Sequence, residues 1–170
     1  MSETSIQPLD QRLKRVLRFM PAPVGIVTSV DPETGEPVGL AMSALMPVSL
    51  EPCAMAICVN RSGSAYDALV KAGRFCINLL HSGQGPHIVP FADPAARDTR
   101  FTQPDWRQHT DSGVWYIEGA PANLFCTVRE RVAYGTHDVI VGEVTDMLSG
   151  DGEDILGWAN GAVGRLHPIA

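Results

Sequence analysis

Gly39-Leu-Ala-Met-Ser-Ala-Leu-Met-Pro-Val-Ser-Leu-Glu-Pro52 is small, apolar and nearly uncharged, with the hydroxyls of Ser43 and Ser49 set among small side chains. Runs of this kind occur where backbones approach closely, as in two buried strands joined by a tight turn. They equally suit a surface on which a flat ring lies, its polar edge read by main-chain N–H and C=O groups. Just upstream, Gly25-Ile-Val-Thr-Ser-Val30 reads as a strand by its β-branched content, and Asp31-Pro-Glu-Thr-Gly35 as a turn. Residues 38–45 read as a second strand, broken at Pro47. Downstream, Ala54-Met-Ala-Ile-Cys-Val59 is apolar on both faces, which makes it a central strand.

Working outward, Leu9, Leu13, Val16, Leu17 and Met20 recur at helical spacing between Arg12, Lys14, Arg15 and Arg18, with Asp10 near the start. Pro21 and Pro23 stop this helix. Residues 65–71 predict a short helix ended by Gly73, and 74–80 a fourth strand. From 83 to 111 the chain reads as loop, with a short helix around 87–92. Strands are expected at 115–118, 122–134 and 139–144, and one more in the glycine-rich tail that carries Trp158. Strands outnumber helices, with no sustained strand-helix-strand alternation. That favours an antiparallel sheet, which closes on itself most economically because closure removes exposed edges.

The 170 residues fit one domain with a real core, expected at 9–170 behind a loose polar tail at 1–8. A net charge of −6 with no basic face argues against nucleic acid as a partner. No apolar run approaches a membrane span, and the N-terminus has no basic-then-apolar leader, so the expected compartment is the cytoplasm. Cys53, Cys58, Cys76 and Cys126 sit in apolar stretches without a Cys-x-x-Cys pair, and are expected as buried, reduced thiols. The five histidines lack zinc-site spacing, so no metal is expected.

Asn60-Arg-Ser-Gly-Ser64 stands before the expected helix at 65–71. Free N–H groups at a helix start, two hydroxyls and a guanidinium suit a phosphate. Ser64-Ala-Tyr-Asp67 is also a capping-box-like pattern, in which Ser64 caps the helix. A surface for a flat polar ring followed by an anion site suggests a flavin mononucleotide. No Gly-x-Gly-x-x-Gly fingerprint occurs, so a Rossmann dehydrogenase is not expected. Asn78, in an otherwise apolar strand, needs partners: it either reaches the ligand region or bridges neighbouring segments.

The order of these motifs resembles the flavin reductase-like family. Phe19-Met-Pro-Ala-Pro-Val-Gly-Ile-Val-Thr-Ser29, Gly39-Leu-Ala-Met-Ser-Ala-Leu45 and Val48-Ser-Leu-Glu-Pro52 carry the first half of the resemblance. Asn60-Arg-Ser-Gly-Ser64, Gly73-Arg-Phe-Cys-Ile-Asn-Leu-Leu80 and His137-Asp-Val-Ile-Val-Gly-Glu-Val144 carry the second. The resemblance implies a mainly β fold, an antiparallel Greek-key split β-barrel with a few peripheral helices, assembled as a homodimer. It implies an NAD(P)H-dependent flavin reductase, using FMN or FAD with NADH or NADPH, and often serving a separate monooxygenase. Two other readings stay open: reduction of a corrin cobalt or other metal centre, and a non-catalytic flavin-binding module.

Residue by residue, the resemblance sets Met42, Ser43, Ala44 and Leu45 along the isoalloxazine ring, although Ser43 could equally satisfy a neighbouring backbone group. It sets Asn60, Arg61, Ser62 and Ser64 at the phosphate. Arg100 is a second phosphate cation or a solvated surface residue. His137 is set near the nicotinamide, its other reading being an exposed turn histidine. Relatives have Gly-Asp-His there, whereas this chain has Gly135-Thr-His-Asp138. Many relatives have tyrosine at the position of Val163, so the aromatic cover over the cofactor is either missing or supplied by Trp158. No catalytic acid, base or nucleophile is required of the protein, because the cofactor carries the hydride chemistry.

Overall fold

The computed structural model describes residues 7–150 and 154–166. The helix α1 (Leu9–Leu17) leads into β1 (Ala22–Pro23), β2 (Gly25–Val30), β3 (Pro37–Met42), β4 (Leu45–Leu50) and β5 (Cys53–Asn60). Next come α2 (Tyr66–Ala72), β6 (Arg74–Leu79), a 3₁₀ turn (Ser82–Ile88), α3 (Val89–Ala92) and a second 3₁₀ turn (Pro94–Thr99). The chain ends in β7 (Trp106–Gln108), β8 (Trp115–Ile117), β9 (Ala122–Tyr134), β10 (His137–Ser149), β11 (Leu156–Ala159) and β12 (Ala162–Arg165).

Seven strands form one antiparallel sheet in the order β3-β2-β6-β9-β10-β5-β4. Gly25–Val30 is buried on both faces, as its β-branched content requires. One face of the sheet packs Val27, Leu45, Ile57, Phe75, Ile77 and Ile140 together, with Tyr66 and Leu69 of α2. Leu45 of one outer strand thus shares a core with Val27, on the strand next to the other outer strand, and the sheet curls into a split barrel. The opposite face of β2 and β6 is covered by the segment after β6: Ile26 and Leu80 pack with Trp106, Ile117 and Leu156. Asn78 bridges under this cover. Its amide donates to Ile26 O (2.8 Å), and its carbonyl accepts from Ile117 N and Asn123 Nδ2, both at 2.9 Å. It is a structural tie between four strands, not a group reaching a ligand.

Several expectations are corrected. The break in the second strand falls at Ser43-Ala44 rather than at Pro47, which lies inside β4. The strand β4 ends the sheet, and its register against β5 shifts between Pro47 and Ser49. An outer strand with a bulge tolerates the missing N–H of proline. The segment expected as loop carries two 3₁₀ turns and the β7–β8 hairpin besides α3. The tail forms two strands, joined by Asn160 and Gly161 at φ 53 and 80. An Asn-Gly pair is a strong sequence signal for a hairpin, and it was there to read. Cys76 and Cys126 are buried and all four cysteines are free, as expected, but Cys53 is exposed and Cys58 only half-buried. Most of the tail expected at 1–8 lies outside the described residues; Gln7 and Pro8 are exposed. Among the described residues no helix is long and apolar enough to cross a membrane.

Candidate active site

The small residues of the segment 39–52 let side chains from elsewhere descend onto β3. A Cβ at Gly39 would lie 2.9 Å from Val27 O, 3.1 Å from Phe91 Cε1 and 3.4 Å from Phe101 Cζ. Glycine is what allows the two phenylalanines, edge to face at 5.6 Å, to cover the strand. A cavity lies on either side of this covered point. Toward the end of β3, Ala41, Met42 and Ser43 line a space of about 260 Å³ with Phe91, Trp158 and Val163. Toward its start, Val38 and Gly39 line a space of about 200 Å³ with Ser64, Arg97 and Arg100. Gly39 and Ser43 are four strand residues apart, roughly 13 Å. The turn of Ser43 and Ala44 also borders a third, apolar cavity of about 330 Å³, with Met20, Leu45, Cys58 and Val139 on its walls.

The two ends differ in character. The end at Ser43 is apolar, and Trp158 and Val163 stand beside each other across β11 and β12 at its edge. Trp158 thus places an aromatic ring at the edge of this cavity, beside Val163. The end at Ser64 is cationic. Arg100 donates from Nε to Pro90 O (3.0 Å), and its guanidinium sits 5.1 Å over the Phe91 ring. Burial, and then the neighbouring Arg97, lower its pKa. Among the described residues neither Arg97 nor Arg100 forms an ion pair. Two like charges on one concave wall without a counter-charge suit an anion. Arg97 was not singled out in the sequence. The signal available was the i, i+3 spacing Arg97-x-x-Arg100, which the 3₁₀ turn from Pro94 to Thr99 brings onto one side.

The loop expected at the phosphate divides. Ser64 lines the cationic cavity. The capping box does not form, since α2 has Ala65 as its N-cap and no side-chain cap hydrogen bond. Ser62 is turned into its own loop, donating from N and from Oγ to Asn60 Oδ1 at 3.0 and 2.9 Å. The Arg61 guanidinium donates to Gly135 O and faces Asp138, with Nη1 3.7 Å from Oδ1. Asn60, Arg61 and Ser62 line neither the cationic nor the apolar cavity.

His137 opens β10 opposite Asn60, with Nδ1 2.9 Å from Thr136 Oγ1. It shares a strand face with Val139, about 7 Å further along, which borders the third cavity. Asp138 points the other way, into the barrel, where it is buried. The site residues expected from the sequence therefore fall into three places: 42–45 at the apolar cavities, Ser64 with Arg100 at the cationic one, and Asn60, Arg61, Ser62 and His137 around the β9–β10 hairpin tip.

Comparison with known proteins gives the family. The flavin reductase like domain family matches residues 17–167. A flavin reductase (NADPH) of Lentzea aerocolonigenes is 32% identical over 136 residues, 79% of this chain and 78% of that protein. An FMN reductase (NADH) of Pseudomonas syringae pv. syringae is 32% identical over 135 residues, 79% of this chain and 74% of that one. The crystal structure of a nitrilotriacetate monooxygenase component B homolog from Mycobacterium thermoresistibile superposes with a TM-score of 0.86 at 30% identity, covering 94% of this chain and 88% of that one. The family match spans nearly all of the described barrel, and this chain belongs to the flavin reductase like domain family.

Proposed function

We propose that this protein is an NAD(P)H-dependent flavin reductase whose flavin lies along β3. The observation that carries the reading is the pairing of one cavity lined by two unpaired arginines with one lined by apolar groups, four residues apart on a strand of small side chains. That is the shape and polarity of a phosphorylated flavin. Ser64, Arg97 and Arg100 hold the phosphate by charge-assisted hydrogen bonds. Met42 and Ser43 offer main-chain groups to the ring edge, and Trp158 covers the ring. Ala44 and Leu45 wall the apolar cavity on the far side of the same turn, on the side of His137, where the nicotinamide approaches. The bound flavin supplies the hydride-accepting chemistry, so the chain's own residues bind, orient and exclude water. FMN is the favoured form because a cationic cavity of about 200 Å³, lined by two arginines and a serine, suits a single phosphate group.

The protein works as a homodimer. The helix α1 has an apolar stripe but no buried residue, and Leu13 and Val16 are 53% and 63% exposed. Met46, Val48 and Leu50 of β4 add to this bare surface. An amphipathic helix with nothing under it needs a partner, and a second copy is the commonest one. Reduced flavin passes to a monooxygenase, in line with the component name carried by the structural relative. Four free cysteines fit a reducing compartment, the cytoplasm. We read residues 9–170 as one FMN-binding unit.

The test is an absorbance scan of the purified protein with FMN, before and after NADH or NADPH under nitrogen. Loss of the oxidised-flavin band at a catalytic rate is the expected result. A bound flavin that neither nucleotide bleaches would leave a binding module instead.

A further inference from the structure

We propose that Arg61 and the buried Asp138 are positioning residues for the nicotinamide end of this reaction, clamping the β9–β10 hairpin tip so that His137 is held in place. The proposal rests on the reading of His137 given above. Arg61 seizes both residues of the two-residue turn between Tyr134 and His137. Its main-chain N–H donates to Thr136 O at 3.0 Å, and its guanidinium donates to Gly135 O. The same guanidinium is drawn inward by Asp138, whose side chain is 2% exposed. His137 follows this gripped turn directly and pairs with Asn60, the residue before Arg61. The tip of one hairpin is thus fixed to the end of β5 by a single residue with three attachments, one through its main chain and two through its guanidinium.

A carboxylate inside a barrel needs a reason. Asp138 has one strong hydrogen bond, from Tyr66 Oη to Oδ2 at 2.6 Å. Arg131 lies beside it, with Nε 3.4 Å from Oδ2. Its Oδ1, which faces Arg61, accepts no hydrogen bond at all. A partly satisfied buried charge is poor glue compared with an apolar side chain of similar size. What it does supply is direction: it turns the Arg61 fork toward the hairpin. The Tyr66 phenol is kept protonated, chiefly by its hydrogen bond to Asp138 and then by burial, so it remains a donor to the carboxylate. The groups facing Asp138 are Tyr66, Arg61 and Arg131. Because side chains alternate along β10, Asp138 cannot touch a ligand that reaches His137. It acts through Arg61 and the turn. Arg61 is likewise committed here and does not line the cavity of Arg97 and Arg100.

Steady-state kinetics and FMN affinity of R61A, D138N, H137A and R61A/H137A test this. H137A should raise the KM for NADH with little change in kcat or in FMN affinity. R61A should do the same, lowering kcat/KM about 10-fold, the scale expected of a displaced positioning group. FMN and riboflavin affinities should both stay as in the parent. Added to H137A, R61A should cause no further loss, because its effect runs through His137. D138N, which keeps the acceptor for Tyr66, should follow R61A. If D138N does not fold, R61A remains, since Arg61 is half exposed. Preferential loss of FMN over riboflavin in R61A would make Arg61 a phosphate ligand and overturn the clamp. So would losses that multiply in the double variant. An unchanged NADH KM in H137A would instead remove the nicotinamide reading, and this proposal with it.

Discussion

The chain holds two pairs of neighbouring arginines that answer to opposite rules. Arg61 and Arg131 each face one oxygen of Asp138 and share it as a counter-charge within the protein. Arg97 and Arg100 converge on a cavity that contains a serine and no acid. The first pair is compensated and holds the barrel's own parts together. The second is uncompensated, and stands ready for a negative charge from outside. Residue type alone does not separate these roles; the location of the counter-charge does.

The comparison breaks most visibly at the second pair. R97A/R100A should lose FMN binding by about 100-fold or more, taking roughly 1.5–3 kcal/mol for each hydrogen bond to a charged group. Riboflavin, which lacks the phosphate, should bind as before. Raising salt should weaken FMN binding to the parent but scarcely to the variant. R131A should leave both ligands nearly untouched. Equal FMN losses from R131A and from R97A/R100A, read by fluorescence titration, would erase the distinction.

An apolar face without cover is the same kind of debt as a charge without a partner. Substituting Leu13 and Val16 of α1 with aspartate should shift the protein from dimer to monomer in a sedimentation series. Burying one such side chain contributes about 1.5–3 kcal/mol, and a symmetric interface counts each twice. If FMN affinity falls along with dimerisation, the partner subunit completes the site. An unchanged sedimentation coefficient would place the dimer contact elsewhere or remove it.

Removing the phenol donor to Asp138, the carboxylate that the first pair shares, should cost stability and little else. In Y66F the Asp138 carboxylate loses its 2.6 Å hydrogen bond and stays buried. The expected loss is about 1–3 kcal/mol in denaturant unfolding, with FMN affinity unchanged. A loss of FMN binding without a loss of stability would assign Tyr66 to the ligand side.

The division between the two pairs was only half legible in the sequence. Most strands were, because β-branched and apolar runs bounded by turn residues are written into single segments. The expected bounds of β2 and β9 coincide with those observed. The small-residue run at Gly39 announced a close approach, and Phe91 and Phe101 make one. What faces what was not legible. Arg61 and Ser64 are three residues apart, and their divergence depends on an Asn60 turn that captures Ser62. Arg97 and Ser64 meet only because the segment after β6 folds back over β3. Asp138 stands next to His137 in β10, so the alternation of side chains turns its carboxylate away from the His137 face and toward Arg61.

The thiols repeat the argument at lower stakes. Burial pushes the Cys126 thiol up to about 12 and raises Cys76 well above its ordinary range. Since the thiolate is the reactive form, neither should label with a thiol reagent at pH 8 until the protein unfolds, and raising the pH to 9 should not change that. Cys53, exposed at the start of β5, should label at once. Cys58 is the informative one. It is half-buried and lines the apolar cavity beside Ala44 and Val139. If the flavin and the nicotinamide meet at the turn of Ser43 and Ala44, bound FMN should slow the labelling of Cys58 several-fold and leave Cys53 alone. Counting modified thiols by mass, with and without FMN, reads all four at once. Equal Cys58 rates in the two samples would move the reacting end of the site away from this cavity and back toward Trp158.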